Sequence, residues 1–190
     1  MEEPAQPVLY YDLGSPGCYL VGERVMSELP VVPEWEPVLA ERLGLSEPRP
    51  DHNQLARAIG DQGLQPLRLP AAWPPQTELA MLAATYAKHI GRAVAFSLAA
   101  FRQAFAGGRD LGDEGTVLIA AAACEMHPTA LLKAVTLRSV TSGLGRANAR
   151  ARTAGVSSLP AIGVGDEVFC GPDCLEQAAT ALVAARGELR

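Results

Sequence analysis

Apolar and polar positions follow three regimes along this chain. Val8-Leu9-Tyr10-Tyr11 is a short run of β-forming residues closed by Asp12-Leu13-Gly14, the pattern of a buried strand that ends in a turn. Ser15-Pro16 then opens a helix, since serine is a favoured N-cap and proline a favoured first helical residue. Tyr19, Leu20, Val21, Val25, Met26 and Leu29 give that helix an apolar stripe until Pro30 stops it. A second strand is expected around Pro37-Val38-Leu39, at a strand start or a sheet edge because proline has no N–H to donate.

From about Asp51 to Ala154 the period changes to that of helices. Glu78 to Ile90, Val94 to Phe105, Glu114 to Cys124, Pro128 to Ser139 and Leu137 to Thr153 all carry helical spacing, with Asp113 placed as a cap. Strand character returns at Leu159 to Val164. Gly165-Asp166 sits where a hairpin turn belongs, and Glu167 to Cys170 can pair back. Gly171-Pro172-Asp173 launches a last helix, Cys174 to Arg186. The order β-α-β, helical block, β-β-α predicts an α/β fold with one sheet interrupted by an insertion. Residues 1–48 and 155–190 form the sheet part, and residues 49–154 an inserted helical lobe.

Composition narrows the function classes. Alanine, leucine and valine lead the hydrophobic residues of a chain that is 48% hydrophobic but only 5% aromatic, which favours a helix-rich domain. A net charge of −5 leaves no basic footprint for nucleic acid. No run reaches the length of a membrane span, and the acidic opening MEEPAQP lacks the basic start of a secretory signal, so a cytoplasmic location is expected. Cys18, Cys124, Cys170 and Cys174 contain no C-x-x-C pair, so neither a disulfide framework nor a metal site is expected.

The candidate chemistry lies in Ser15-Pro16-Gly17-Cys18, at the first strand-to-helix turn. Unpaired amides and the helix dipole favour an anion there, and a thiolate is a natural guest, although serine before proline is equally a plain helix start. Cys18, one turn in, is either a small buried residue or a working thiol. Arg146, Arg150 and Arg152 either meet an anionic substrate or form a solvated face. Trp35 and Trp73 either line an apolar pocket or pack in the core.

Three segments together resemble a known family. Tyr10 through Leu20, Phe101-Arg102 through Leu111, and Ala154 through Ala161 followed by Gly165 through Asp173 are similar to the 2-hydroxychromene-2-carboxylate isomerases and kappa-class glutathione transferases. These belong to the DsbA-like thioredoxin superfamily, so the resemblance implies a thioredoxin-like fold with an inserted all-helical lobe. It implies glutathione or another low-molecular-weight thiol as cofactor, with Ser15 holding its sulfur as thiolate beside Pro16. It implies a cis Leu159-Pro160 bond facing the first turn, and a site for the γ-glutamyl end of the thiol at Cys170, Gly171, Pro172 and Asp173. Relatives are often dimers, so a homodimer is compatible with the resemblance.

The expected activity is that of an isomerase or transferase acting on a small apolar electrophile, with Trp73 and Gln76 on the substrate side. Glu36 stands where the isomerases usually place a cation, and on the substrate side it would repel a carboxylate. Two alternatives stay open: a thiol-disulfide oxidoreductase acting through Cys18, and an inactive binding module.

Overall fold

The computed structural model describes residues 6–46 and 48–188; the acidic first residues lie outside the described residues. Four strands form one sheet in the order β2-β1-β3-β4: β1 (Val8–Tyr11), β2 (Glu34–Pro37), β3 (Ala161–Val164) and β4 (Glu167–Cys170). β2 runs parallel to β1, whereas β3 is antiparallel to both β1 and β4. Eight helices complete the described fold: α1 (Pro16–Glu28), α2 (His52–Asp61), α3 (Glu78–His89), α4 (Ala93–Phe105), α5 (Glu114–Ala122), α6 (Pro128–Ala134), α7 (Arg138–Thr153) and α8 (Cys174–Glu188).

β1 is the organising strand because both its faces are buried. Leu9 and Tyr11 point into one core with Trp35, Ile162, Phe101 and Phe105, whereas Val8 and Tyr10 point into a second with Val38, Ala161, Ala147 and Ala151. This is the period-two alternation of a strand, with apolar groups on both sides as in any strand covered from above and below. The larger core joins the sheet to the helical block through aromatic rings. Tyr11 meets Trp35 edge-on at 5.3 Å between centroids, and Tyr19 stacks on Phe105 at 5.5 Å. Tyr11 also hydrogen-bonds Ser97 on α4 through its hydroxyl at 2.7 Å. The smaller core is closed by α7, which packs on the sheet although it lies within the helical span of the sequence.

Three sequence expectations need correction. β2 occupies residues 34–37, earlier than expected, and Pro37 ends it; β2 is an edge strand, as its proline requires. The segment expected as one helix from Pro128 to Ser139 breaks between α6 and α7, where the Thr136 hydroxyl donates to the Lys133 carbonyl and helps end the turn. β3 begins at Ala161, because Leu159-Pro160 is cis and belongs to a loop. Asp51 caps α2, a helix not separately expected, by accepting from the Gln54 amide.

Trp35 packs in the core against Tyr11 and is not in the wall of the cavity that Trp73 lines. Glu36 is away from that cavity as well and instead borders a smaller cleft with Lys88, His89, Arg146 and Arg150. It is buried in a four-charge square in which Lys88 reaches Glu34 at 2.7 Å and Glu36 at 2.6 Å, and Arg150 reaches them at 2.9 and 2.7 Å. The square ties the edge strand to α3 and α7. Burial alone would raise the Glu34 carboxyl, but hydrogen bonds from Lys88 and Arg150 outweigh it and hold the group below its usual range. A carboxylate lowered in the folded state stabilises above its unfolded value and loses that contribution as pH falls through the folded one, so Glu34 adds stability at neutral pH that acid removes.

Replacing Lys88 by methionine leaves two carboxylates facing one guanidinium. We expect a destabilisation of about 1–3 kcal/mol, below the figure for a fully buried pair because Lys88 and Arg150 are partly exposed. Urea denaturation at neutral pH and again below pH 4 measures it, and the deficit should shrink at the lower pH.

Candidate functional site

Ser15 is the N-cap of α1 and sits in extended geometry, with its Oγ accepting the Cys18 amide at 3.3 Å. An oxygen that accepts one bond still has its own proton to donate. The residue is only 2% exposed, yet it forms part of the wall of a cleft of about 670 Å³. Leu39, Leu45, Trp73, Pro74 and Pro75 make the apolar part of that wall, and Asp12, Gln76, Thr77 and Arg49 the polar part.

Three chain segments build this cavity. The first is the β1–α1 turn. The second follows β2 and includes a 3-10 turn at Ala40–Leu43; the third leads into α3 and carries a cis Trp73-Pro74 bond. They close on one another at Gly14, where a Cβ would lie 2.7 Å from Thr77 Cγ2 and 2.8 Å from Pro75 Cγ. Only glycine allows the third segment to lie so close to the turn.

Leu159 and Pro160 meet the turn from elsewhere. They are not in the cavity wall, but a Cβ at Gly17 would stand 3.0 Å from Pro160 Cδ, 3.7 Å from Ser15 Oγ and 3.9 Å from the Leu159 carbonyl oxygen. The cis loop therefore faces the first turn at Gly17, with its Leu159 carbonyl aimed toward it. Gly171 donates its amide to the Pro160 carbonyl at 2.8 Å, which fastens the start of α8 to the same loop. Pro172 and Asp173 are exposed there, and the Asp173 carbonyl accepts from Gln177 in the first turn of α8. Two helix N-termini thus converge on one cis loop, and each favours negative charge.

The structure therefore brings Ser15, Pro16, Leu159, Pro160 and Gly171 into one connected region, with Asp173 two residues beyond Gly171, and it joins Trp73 and Gln76 to Ser15 through the cavity. It does not bring in Glu36, which is held by Lys88 and Arg150. Asp12, Thr77 and Arg49 are cavity residues that sequence reasoning missed. A polar residue between an apolar strand and a glycine was the available signal for Asp12; Thr77 and Arg49 gave none.

The cysteines divide by burial. Cys18 and Cys174 are fully buried, while Cys170 on β4 is partly exposed. Burial, with the nearby Glu176 and Cys170, pushes the Cys174 thiol up to about 12, so it stays protonated at neutral pH. Burial also raises Cys124, whose thiol donates to the Ala120 and Ala121 carbonyls in the last turn of α5. Among the described residues no cluster of three or more His, Cys, Asp or Glu side chains is arranged to hold a metal ion, and no helix is long and apolar enough to cross a membrane.

Comparison with known proteins places the fold. No protein-family model and no curated protein matches the sequence. Among solved structures, a 2-hydroxychromene-2-carboxylate isomerase superposes with a TM-score of 0.79 at 18% identity, over 97% of this chain and 98% of that one. A probable DsbA oxidoreductase of Streptomyces coelicolor gives 0.76 at 18% identity, over 96% and 90%. The cytosolic disulfide reductase DsbM of Pseudomonas aeruginosa, solved with GSH, gives 0.69 at 14% identity, over 97% and 99%. The chain has the DsbA-like thioredoxin fold, here shared by an isomerase and by disulfide oxidoreductases.

Proposed function

We propose that this protein is an enzyme that binds glutathione or a similar small thiol at Ser15 and uses the thiolate on a small apolar electrophile, as an isomerase or transferase. The observation that carries this reading is the position of Ser15: a helix N-cap hydroxyl with a proton to give, in the wall of a mostly apolar cavity. A serine hydroxyl is a poor nucleophile at neutral pH, but a charge-assisted bond from it to sulfur favours the anion. The attacking group is then the cofactor's sulfur.

Held by Ser15, a bound thiol would supply a thiolate able to add reversibly to a conjugated double bond, for isomerisation about the temporary single bond, or to stay attached once the displaced electron pair takes a proton from water, for transfer. The apolar side chains of Leu39, Leu45 and Trp73 suit such an electrophile. Leu159, Cys170, Gly171, Pro172 and Asp173 would receive the peptide part of the thiol, with α8 turning its N-terminus toward a carboxylate.

The DsbM neighbour with GSH supports a thiol cofactor and, being cytosolic, a cytoplasmic setting. The cavity beside Ser15 argues against an inert module whose pocket is filled by side chains, and the full burial of Cys18 argues against a redox protein that works through that thiol. Isothermal calorimetry with glutathione and S-methylglutathione is the test. Binding of glutathione that is at least tenfold tighter than that of the S-methyl form is expected, and no binding of either would sink the proposal.

A further inference from the structure

Among the described residues, Asp12 is a buried carboxylate whose role the reading above leaves unused. It is 4% exposed, lines the cavity with Ser15, and has no ion-pair partner among the described residues. Three neutral donors bond its oxygens. Oδ1 accepts the Gly14 amide at 2.9 Å, Oδ2 accepts the Ala40 amide at 2.8 Å, and the Thr77 hydroxyl also donates to the carboxylate. Gly14 belongs to the Ser15 turn, Ala40 to the segment after β2, and Thr77 to the start of α3, which are the three segments that make the cavity. The Ser15 amide in turn donates to the Asp12 carbonyl at 3.1 Å, so the same residue also fixes the backbone of the cap.

We infer that Asp12 is a positioning residue: its carboxylate gathers the three walls of the cavity onto one point, and thiol binding at Ser15 depends on that tie.

Burial pushes the Asp12 carboxyl up, and the Ala40 and Gly14 amides and the Thr77 hydroxyl only partly offset it. A carboxyl raised in the folded state adds stability at low pH and loses it as pH rises through the folded value, so an ionised Asp12 costs folding stability near neutrality. Stability alone would not select an aspartate here. Around it stand Tyr11 on β1, Glu41 on the 3-10 turn, Arg49, and Glu78 at the start of α3, the last of these paired with Arg42. None of them bonds to Asp12, so its titration should be read directly at the amides it holds.

Asparagine separates the tie from the fold. It offers one carbonyl oxygen and one amino group, and an amino group cannot accept an amide, so Asp12→Asn must release either Gly14 or Ala40. The inference rests on the thiol reading, and the experiment keeps the two apart by measuring two things in wild type and Asp12→Asn: glutathione affinity by calorimetry across pH, and amide exchange at Gly14 and Ala40 by NMR in the unliganded protein.

We expect about a tenfold loss of affinity at neutral pH, roughly that of one charge-assisted bond. One of the two amides should lose protection, and the melting temperature should change little, because relief of the buried charge offsets the lost bond. In wild type the affinity should also fall at the pH where Asp12 titrates, a limb absent from Asp12→Asn. A merely structural role would not move that limb.

Equal affinity and the same pH profile in both proteins would overturn the inference. If neither protein binds glutathione, the thiol reading fails, and so does this dependence of binding on Asp12. Should Asp12→Asn not fold, the wild-type Gly14 and Ala40 amide shifts decide. A midpoint shared with the Asp12 carboxyl upholds the tie, and independence from it refutes the tie.

Discussion

Replacing Ser15 by cysteine should turn the protein into a disulfide exchanger. The introduced thiol would stand at the N-cap of α1, where the helix dipole and unpaired amides favour a thiolate, with Cys18 one turn behind it. Cys18 is fully buried, as suits a resolving thiol that acts only after a mixed disulfide has formed at the first position. The chemistry balances: the thiolate attacks one sulfur of a substrate disulfide, the other sulfur leaves as thiol, and Cys18 then displaces the bound half as the protein disulfide forms. External reduced glutathione restores both thiols and is itself oxidised. Loss of the serine cap should cost about 1 kcal/mol of stability. Reduction of a small aromatic disulfide should rise at least a hundredfold over wild type, and a variant no faster than wild type would show that the turn does not activate sulfur.

A second large effect is expected at Gly14. Valine there would drive its Cβ into Thr77 Cγ2 and Pro75 Cγ, at 2.7 and 2.8 Å, closer than carbon atoms pack. The proline and the cap residue of α3 are not flexible ends that can swing away, so the segment carrying Trp73 must lift off the turn. Overpacking of this type costs about 1–3 kcal/mol, which in a chain of this size lowers the melting temperature by roughly 2–10 °C. The larger loss should be in thiol binding, because the lifted segment supplies Trp73, Gln76 and Thr77 to the cavity. Differential scanning calorimetry and a glutathione titration test both parts. An unchanged melting temperature together with unchanged affinity would mean that the close approach at Gly14 does not hold the wall.

What the sequence made legible is what local chemistry decides. Ser15-Pro16 opens a helix because a cap oxygen and a preset φ act within a few residues, and Gly165-Asp166 makes a hairpin for a similar reason. Asp113 caps α5 by accepting from Thr116 three residues on. The cis state of Leu159-Pro160 is different, since its local prior runs the other way and only the surrounding motif pointed to it.

What stayed illegible is what distant residues decide. Glu36 is paired with Lys88 and Arg150, 52 and 114 positions along the chain, so its sign alone said nothing of its surroundings. β2 was displaced because Trp35 is drawn into the core against Tyr11, a contact invisible before the sheet is assembled. Asp12 looked like a turn residue, and its bond to Ala40, 28 positions away, gives it a second use. α7 reads as one more helix of a block, yet the small faces of Ala147 and Ala151 let it lie on the sheet.

The central claim is that the hydroxyl of Ser15 holds a guest sulfur as thiolate. The most direct measurement is the ultraviolet thiolate absorbance of bound glutathione, followed across pH in wild type and in Ser15→Ala. Wild type should show the thiolate band at neutral pH, well below where free glutathione ionises, and Ser15→Ala should lose it at saturating glutathione. A band of equal strength and equal midpoint in both proteins would contradict the claim, as would the absence of any band in wild type with glutathione bound.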